Sequence, residues 1–235
     1  MSFRSIVILT SILVALAAYL IGSVNFAIIF THKFKNEDIR EHGSGNAGMT
    51  NAFRYAGKLP GILTLVCDFA KGVVSVLLGY GVFLWLGRLP QAAAVIDPTY
   101  GKYIAGLFCF LGHLYPVYYG FKGGKGVLTS ISVILLIDWR VAVAVFGVFA
   151  VVFLLSRIVS LSSICGAVTY PIATFFLFGS RPVLEHALTD PFGISQKLFE
   201  TLFAVLFGAM VIIKHIPNIR RMIRGEEKRV SFHKK

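Results

Sequence analysis

Residues 126–155 read GVLTSISVILLIDWRVAVAVFGVFAVVFLL, an apolar stretch broken once, at Ile137-Asp138-Trp139-Arg140. How that break is read decides the fold. As a kink in one long span it implies six transmembrane helices. As a tight turn between two short spans, 126–137 and 139–155, it implies seven. Asp, Trp and Arg together suit a turn at a bilayer surface. A helix needs about 20 apolar residues to cross the hydrocarbon core, and the other segments of that kind lie near 5–30, 60–87, 102–119, 161–179 and 198–214.

The distribution of charge chooses between the two counts. The chain has 235 residues, of which 56% are hydrophobic and only 14% charged, with a formal net charge of +12. That composition belongs to the membrane class, so the basic excess is a matter of topology and gives no reason to expect nucleic acid. With seven spans, loops 31–59, 120–126 and 156–160 fall on one side with the C-terminal tail. They carry sixteen of the 23 Lys and Arg residues. Arg4, Arg88, Lys102, Arg140, Arg181 and Lys197 fall on the other side, and Lys71 lies within a span. Positive loops stay cytosolic, which puts the N-terminus outside and the C-terminus in the cytosol. Six spans would separate loop 31–59 from the basic tail and lose the asymmetry. The reading is therefore an all-α integral membrane protein of about seven helices, one domain over residues 1–235.

The apolar N-terminal run is about 25 residues, longer than a signal-peptide core, and it passes Ala15-Leu16-Ala17 without a break. It is read as a retained first span. Cys67, Cys109 and Cys165 are far apart in apolar sequence. No spacing suits a metal, and no cofactor motif appears. The stretch 180–197 forms a long outer loop with no functional reading.

The polar residues that remain gather on the cytosolic side. GSGNAGMTNAFRYAG, residues 43–57, alternates glycines with Ser44, Asn46, Thr50 and Asn51 before Arg54. Glycines such as Gly45 let backbone N–H groups approach an anion, and a guanidinium fork matches phosphate. An ordinary glycine-rich turn would look similar. Phe121-Lys-Gly-Gly-Lys-Gly126 adds Lys122, Gly123, Gly124 and Lys125. Lysines at that place also satisfy the positive-inside rule, but two of them flanking two glycines before a helix start suit a phosphate. The motif is no Walker A, because Gly126 stands where Ser or Thr must follow the lysine. In the second span Asp68 and Lys71, three apart, form a buried pair, either a structural tie or the floor of a polar site. Hydroxyls of Ser160–Ser163 cap a helix or meet a ligand, and His215 and Asn218 share one helical face at the last boundary.

In their order and rough spacing these motifs resemble the bacterial acyl-phosphate-dependent glycerol-3-phosphate acyltransferases (PlsY type). GSGNAGMTN with Arg54, DFAKG, GHLYPVYYGFKGGKGV, SRIVSLSS and KHIPNIRRMIRGEE carry the resemblance from about Tyr19 to Glu227. It implies a multi-pass enzyme of the bacterial inner membrane with its active site on the cytosolic side. Such an enzyme moves an acyl group from acyl phosphate to the 1-hydroxyl of glycerol 3-phosphate and releases phosphate and lysophosphatidic acid. This is the first acylation of phospholipid synthesis, and an upstream enzyme must supply the acyl phosphate. Carried over, the catalytic positions are Arg54, Lys122, Lys125, His215 and Asn218. The phosphate-binding positions are Ser44, Gly45, Asn46, Thr50, Asn51, Arg54, Lys122, Gly123, Gly124, Lys125 and Ser162, with Asp68 and Lys71 as buried supporting charges. Asn25, where the family often has proline, and Met49, where it usually has a small residue, are departures that touch only local packing. No H-x-x-x-x-D occurs, which disfavours an acyl-CoA enzyme of that type. A transporter for a small organic phosphate would share the basic clusters, but would need polar residues on both faces.

Overall fold

The computed structural model describes residues 3–89, 97–177 and 196–230. Residues 180–195 of the expected outer loop lie outside these, as do Arg181, Lys234 and Lys235. Among the described residues every regular element is helical: α1 (Phe3–Ser23), α2 (Phe26–Lys35), α3 (Met49–Tyr55), α4 (Lys58–Leu86), α5 (Thr99–Leu114), α6 (Val127–Ile137), α7 (Trp139–Ser156), α8 (Val159–Leu177), α9 (Gln196–Lys214) and α10 (Ile216–Ile223). Single 3-10 turns lie at Ile39–Glu41 and Val117–Tyr119. Each expected span has a helix. Four are long and apolar enough to cross a bilayer: Arg4–Lys35 taken together, Lys58–Leu86, Trp139–Ser156 and Val159–Leu177. The α9–α10 pair, bent by 55°, would make a fifth.

IDWR is a break between helices, and the chain divides there into two compact units, Met1–Ile137 and Asp138–Lys235. The cause is local. The Asp138 carboxylate accepts from Arg140 N at 3.0 Å and caps α7, while the Arg140 guanidinium lies 3.1 Å from the same oxygen. An N-cap stops a preceding helix from running through. Trp139 is 64% exposed, as an interfacial anchor requires.

In the first unit α1 packs on α5 and α4, and α4 also meets α2, α3, α5 and α6. Backbones come together at small residues. A Cβ on Gly22 would strike the Cys109 carbonyl, one on Gly112 the Tyr19 carbonyl, and Gly79 and Gly101 exclude each other's in the same way. Association through small residues is the membrane solution, because lipid gives apolar helices no hydrophobic reason to pair. Ile8, Ile12 and Leu13 on α1 stay exposed. The expected first span, 5–30, differs in one respect: it divides at Val24-Asn25, where Asn25 caps α2.

In the second unit α7 packs on α8 and α8 on α9. Pro171 has no N–H to offer its helix, and Gly208 of α9 approaches the Ala167 carbonyl four residues before it.

Candidate active site

The glycine-rich loop of the first unit is built around Asn51. This side chain is 4% exposed, and its Oδ1 accepts from Ser44 N at 3.1 Å. Its Nδ2 donates toward the carbonyls of Ile39, His42 and Asn46 at 3.2, 2.9 and 3.1 Å. The turn that wraps the amide needs positive φ at Gly43 (64°) and Gly45 (69°), and a Cβ on Gly43 would also strike Asn51 Oδ1. Gly45 N and Gly48 N bond to the His42 and Asn46 carbonyls, so the N–H groups of Ser44, Gly45 and Gly48 face partners inside the loop. Ser44 and Arg54 are exposed, and Asn46 and Thr50 are half-buried. The helix α3, which carries Thr50, Asn51 and Arg54, rises from what reads as loop.

A frame outside the motif holds this loop. Arg40 forks onto Asp38 (2.6 Å) and donates to the Tyr119 carbonyl at 2.8 Å. The Arg40 hydrogen bond holds the Asp38 carboxyl below its ordinary range, and Asp38 in turn raises the guanidinium. His42 stacks on Tyr55 at 4.2 Å, and both touch Glu37.

Lys122–Lys125 lies against the end of α5. Gly124 N donates to the His113 carbonyl at 3.2 Å. A Cβ on Gly123 would strike that same carbonyl, and one on Gly124 would strike His113 Nε2 and the Ala47 carbonyl. The second contact matters most, because it seats the lysine loop directly against the glycine-rich loop. Two motifs far apart in sequence thus adjoin. Lys122 is exposed and Lys125 half-buried.

Beneath them are the buried charges. Lys71 Nζ lies 2.8 Å from Asp68 Oδ1, 2.7 Å from the Val24 carbonyl and 2.9 Å from His113 Nδ1. His113 is 4% exposed. The i,i+3 pair was legible in sequence, but its third member on α5 was not.

In the second unit His215 stands between α9 and α10, at the N-cap position of α10 but with no side-chain cap bond. It is 2% exposed, with Nδ1 2.8 Å from the Val211 carbonyl. A carbonyl only accepts, so Nδ1 carries the proton and Nε2 of the neutral ring is the basic nitrogen. Asn218, 5% exposed, donates from Nδ2 to Glu227 Oε1 at 2.6 Å. Glu227 also accepts from Ser160 Oγ at 2.5 Å and Arg221 Nε at 2.6 Å. Burial alone would raise the Glu227 carboxyl, but the hydrogen bonds from Ser160, Arg221 and Asn218 outweigh it and hold it below its ordinary value. Ser162 is fully buried, its hydroxyl donating to the Ile158 carbonyl at 2.9 Å. Glu227 ends the KHIPNIRRMIRGEE motif, but the sequence reading gives it no role.

The family model described as glycerol-3-phosphate acyltransferase matches residues 12–225. A relative named glycerol-3-phosphate acyltransferase from a Nostoc species is 38% identical over 222 residues, which is 93% of this chain and 91% of that protein. A crystal structure of an integral membrane glycerol 3-phosphate acyltransferase (PlsY), in its glycerol 3-phosphate form, superposes with a TM-score of 0.74 at 33% identity, covering 94% of this chain and 96% of the other. The lysophosphatidic acid form gives 0.70 at 30% identity, covering 94% and 95%. This chain, an integral membrane protein of many helices, belongs to the glycerol-3-phosphate acyltransferase family.

Proposed function

We propose that the chain transfers a fatty acyl group from acyl phosphate to the 1-hydroxyl of glycerol 3-phosphate, yielding lysophosphatidic acid and inorganic phosphate. The observation that carries this reading is the junction of the two glycine-rich loops at Gly124 and Ala47, within a chain matched to the family along nearly its whole length. A relative crystallised in glycerol 3-phosphate and lysophosphatidic acid forms supports the substrate and the product.

Acyl phosphate is a mixed anhydride whose carbonyl is already activated. The glycerol hydroxyl attacks that carbonyl, a C–O ester bond forms, and the C–O bond to phosphate breaks as phosphate leaves with the electron pair. Two phosphates of like charge have to be held together, which calls for Arg54, Lys122 and Lys125 and for the hydroxyl and amide groups of Ser44, Asn46 and Thr50. Asn51 serves by shaping the loop that presents them, since its amide is bonded to the backbone. The hydroxyl proton goes to His215 Nε2 or to the phosphate dianion of glycerol 3-phosphate itself, whose second pKa is about 6. Asn218, fixed by Glu227, orients substrate, and Ser162, its buried hydroxyl bonded to the Ile158 carbonyl, supports the site from behind. In this reading the chain is one acyltransferase domain of seven spans. Its N-terminus is outside, its site faces the cytosol at the bacterial plasma membrane, and an acyl-phosphate-forming enzyme supplies the donor.

The test is the purified protein in lipid, given acyl phosphate and labelled glycerol 3-phosphate. Equal amounts of phosphate and lysophosphatidic acid are expected. Binding or flux of glycerol 3-phosphate without acyl transfer would instead indicate a transporter. H215A is expected to lose about 100-fold in kcat, and unchanged kcat and KM would remove His215 from the mechanism.

A further inference from the structure

We infer that His113 is a positioning residue, clamped by the buried Asp68–Lys71 pair, that sets the place of both glycine-rich loops. Lys71 donates to the Val24 carbonyl at 2.7 Å and faces His113 Nδ1 at 2.9 Å, and its ammonium is ion-paired with Asp68 Oδ1 at 2.8 Å. Because Nδ1 accepts, the imidazole proton is on Nε2, and the ring has one tautomer and one orientation. Lys71 and Asp68 side chains are 3% and 2% exposed, so water does not compete for these bonds.

The consequences reach both loops. Nε2 lies where a Cβ on Gly124 would be, and the His113 carbonyl receives Gly124 N at 3.2 Å, so ring and backbone of one residue seat the lysine loop. The same ammonium fixes Val24, and its neighbour Asn25 donates to the Ala47 carbonyl at 3.2 Å. Ala47 is the other wall of the Gly124 seat. One ammonium therefore indexes α4, the end of α5, the α1–α2 break and, through them, the two loops. This deepens the proposed function and rests on those loops binding phosphate. Asp68, Lys71 and His113 need not touch substrate to act.

The decisive variant is His113→Asn. Its Oδ1 replaces Nδ1 as the acceptor for Lys71, so the buried charge stays satisfied, while the part of the ring beside Gly124 is gone. The purified full-length protein is followed by hydrogen exchange without substrate, by thermal unfolding, and by kinetics. A thermal midpoint within about 3 °C of wild type is expected, with amides of residues 43–48 and 120–126 exchanging about tenfold faster. The KM for glycerol 3-phosphate should rise about tenfold while kcat changes less than about threefold. Wild-type exchange in both loops would overturn the inference. Should H113N fail to fold, the neutral pair D68N/K71M removes the clamp without stranding a charge, and the same exchange criterion applies. The exchange result does not depend on catalysis. Faster loops with an unchanged KM would keep His113 as a positioning residue and remove the loops from glycerol 3-phosphate binding.

Discussion

Two polar clusters hold this protein's motifs, and they do so under opposite conditions. Asp68, Lys71 and His113 are buried in the interior of the first unit, where the two charges are ion-paired. Glu227, in the tail of the second unit, draws Ser160, Asn218 and Arg221 to one carboxylate. The interior cluster is obligatory, because a charge left there has no partner to turn to. The terminal one is a latch on the tail, open to solvent through Arg221, whose side chain is 34% exposed against 3% for Lys71. The difference predicts that the first governs whether the fold forms and the second how its tail is ordered.

Breaking the interior cluster is the largest perturbation. K71M strands the Asp68 carboxylate and is expected to destabilise by about 3–5 kcal/mol, whereas D68N/K71M, which removes both charges, should recover most of that loss. Thermal unfolding in detergent, with the monodisperse fraction after extraction, measures both. Equal instability of the single and double variants would mean that packing, not charge pairing, sets the cost. The comparison would then fail at its first term.

Why each cluster was only half-legible is a physical matter. Hydropathy marks helices because a bilayer imposes length and composition, and Asp138 with Arg140 marked the α6–α7 break because capping is local. An i,i+3 pair such as Asp68–Lys71 is local too. His113 joins it only through the packing of α5 on α4, and Glu227 meets Asn218 only because the tail folds back. Helix α3 was hidden for the same reason. Its Thr50 and Asn51 are poor helix formers, and it stands because Ala52 packs with Ala27, Ile28, Ile39 and Ala47 while Asn51 ties the turn before it. Of the candidate site, residue types and loops were readable. The inward-facing N–H groups of Ser44, Gly45 and Gly48, and the seat at Gly124, were not.

The latch makes a smaller prediction with a definite sign in pH. Glu227 titrates below its unfolded value, so its contribution is full above about pH 4.3. It is lost as pH falls through the lower folded value. Protection of residues 225–230 from exchange should thus persist at pH 5 and 6 in wild type and fail only under more acidic conditions. E227Q should show weak protection at every pH, with a global cost of about 1 kcal/mol, since the site borders solvent. A global loss as large as that of K71M would place Glu227 in the same class as the buried pair and dissolve the distinction.

Asn25 supplies the smallest effect and the finest division. It follows Val24, whose carbonyl receives the Lys71 ammonium, and it is fully buried. Its Oδ1 accepts from Ile28 N at 3.1 Å and caps α2, while its Nδ2 ties Ala47 at 3.2 Å. N25A removes a cap and a loop tie but leaves every charge paired, so a loss of about 1–2 kcal/mol is expected. Thermal unfolding beside K71M is the measurement. If N25A costs as much as K71M, the α1–α2 break is held by the cap and the ammonium only fills space. If it costs a third or less, the neutral bonds refine a position that the buried ammonium has already set.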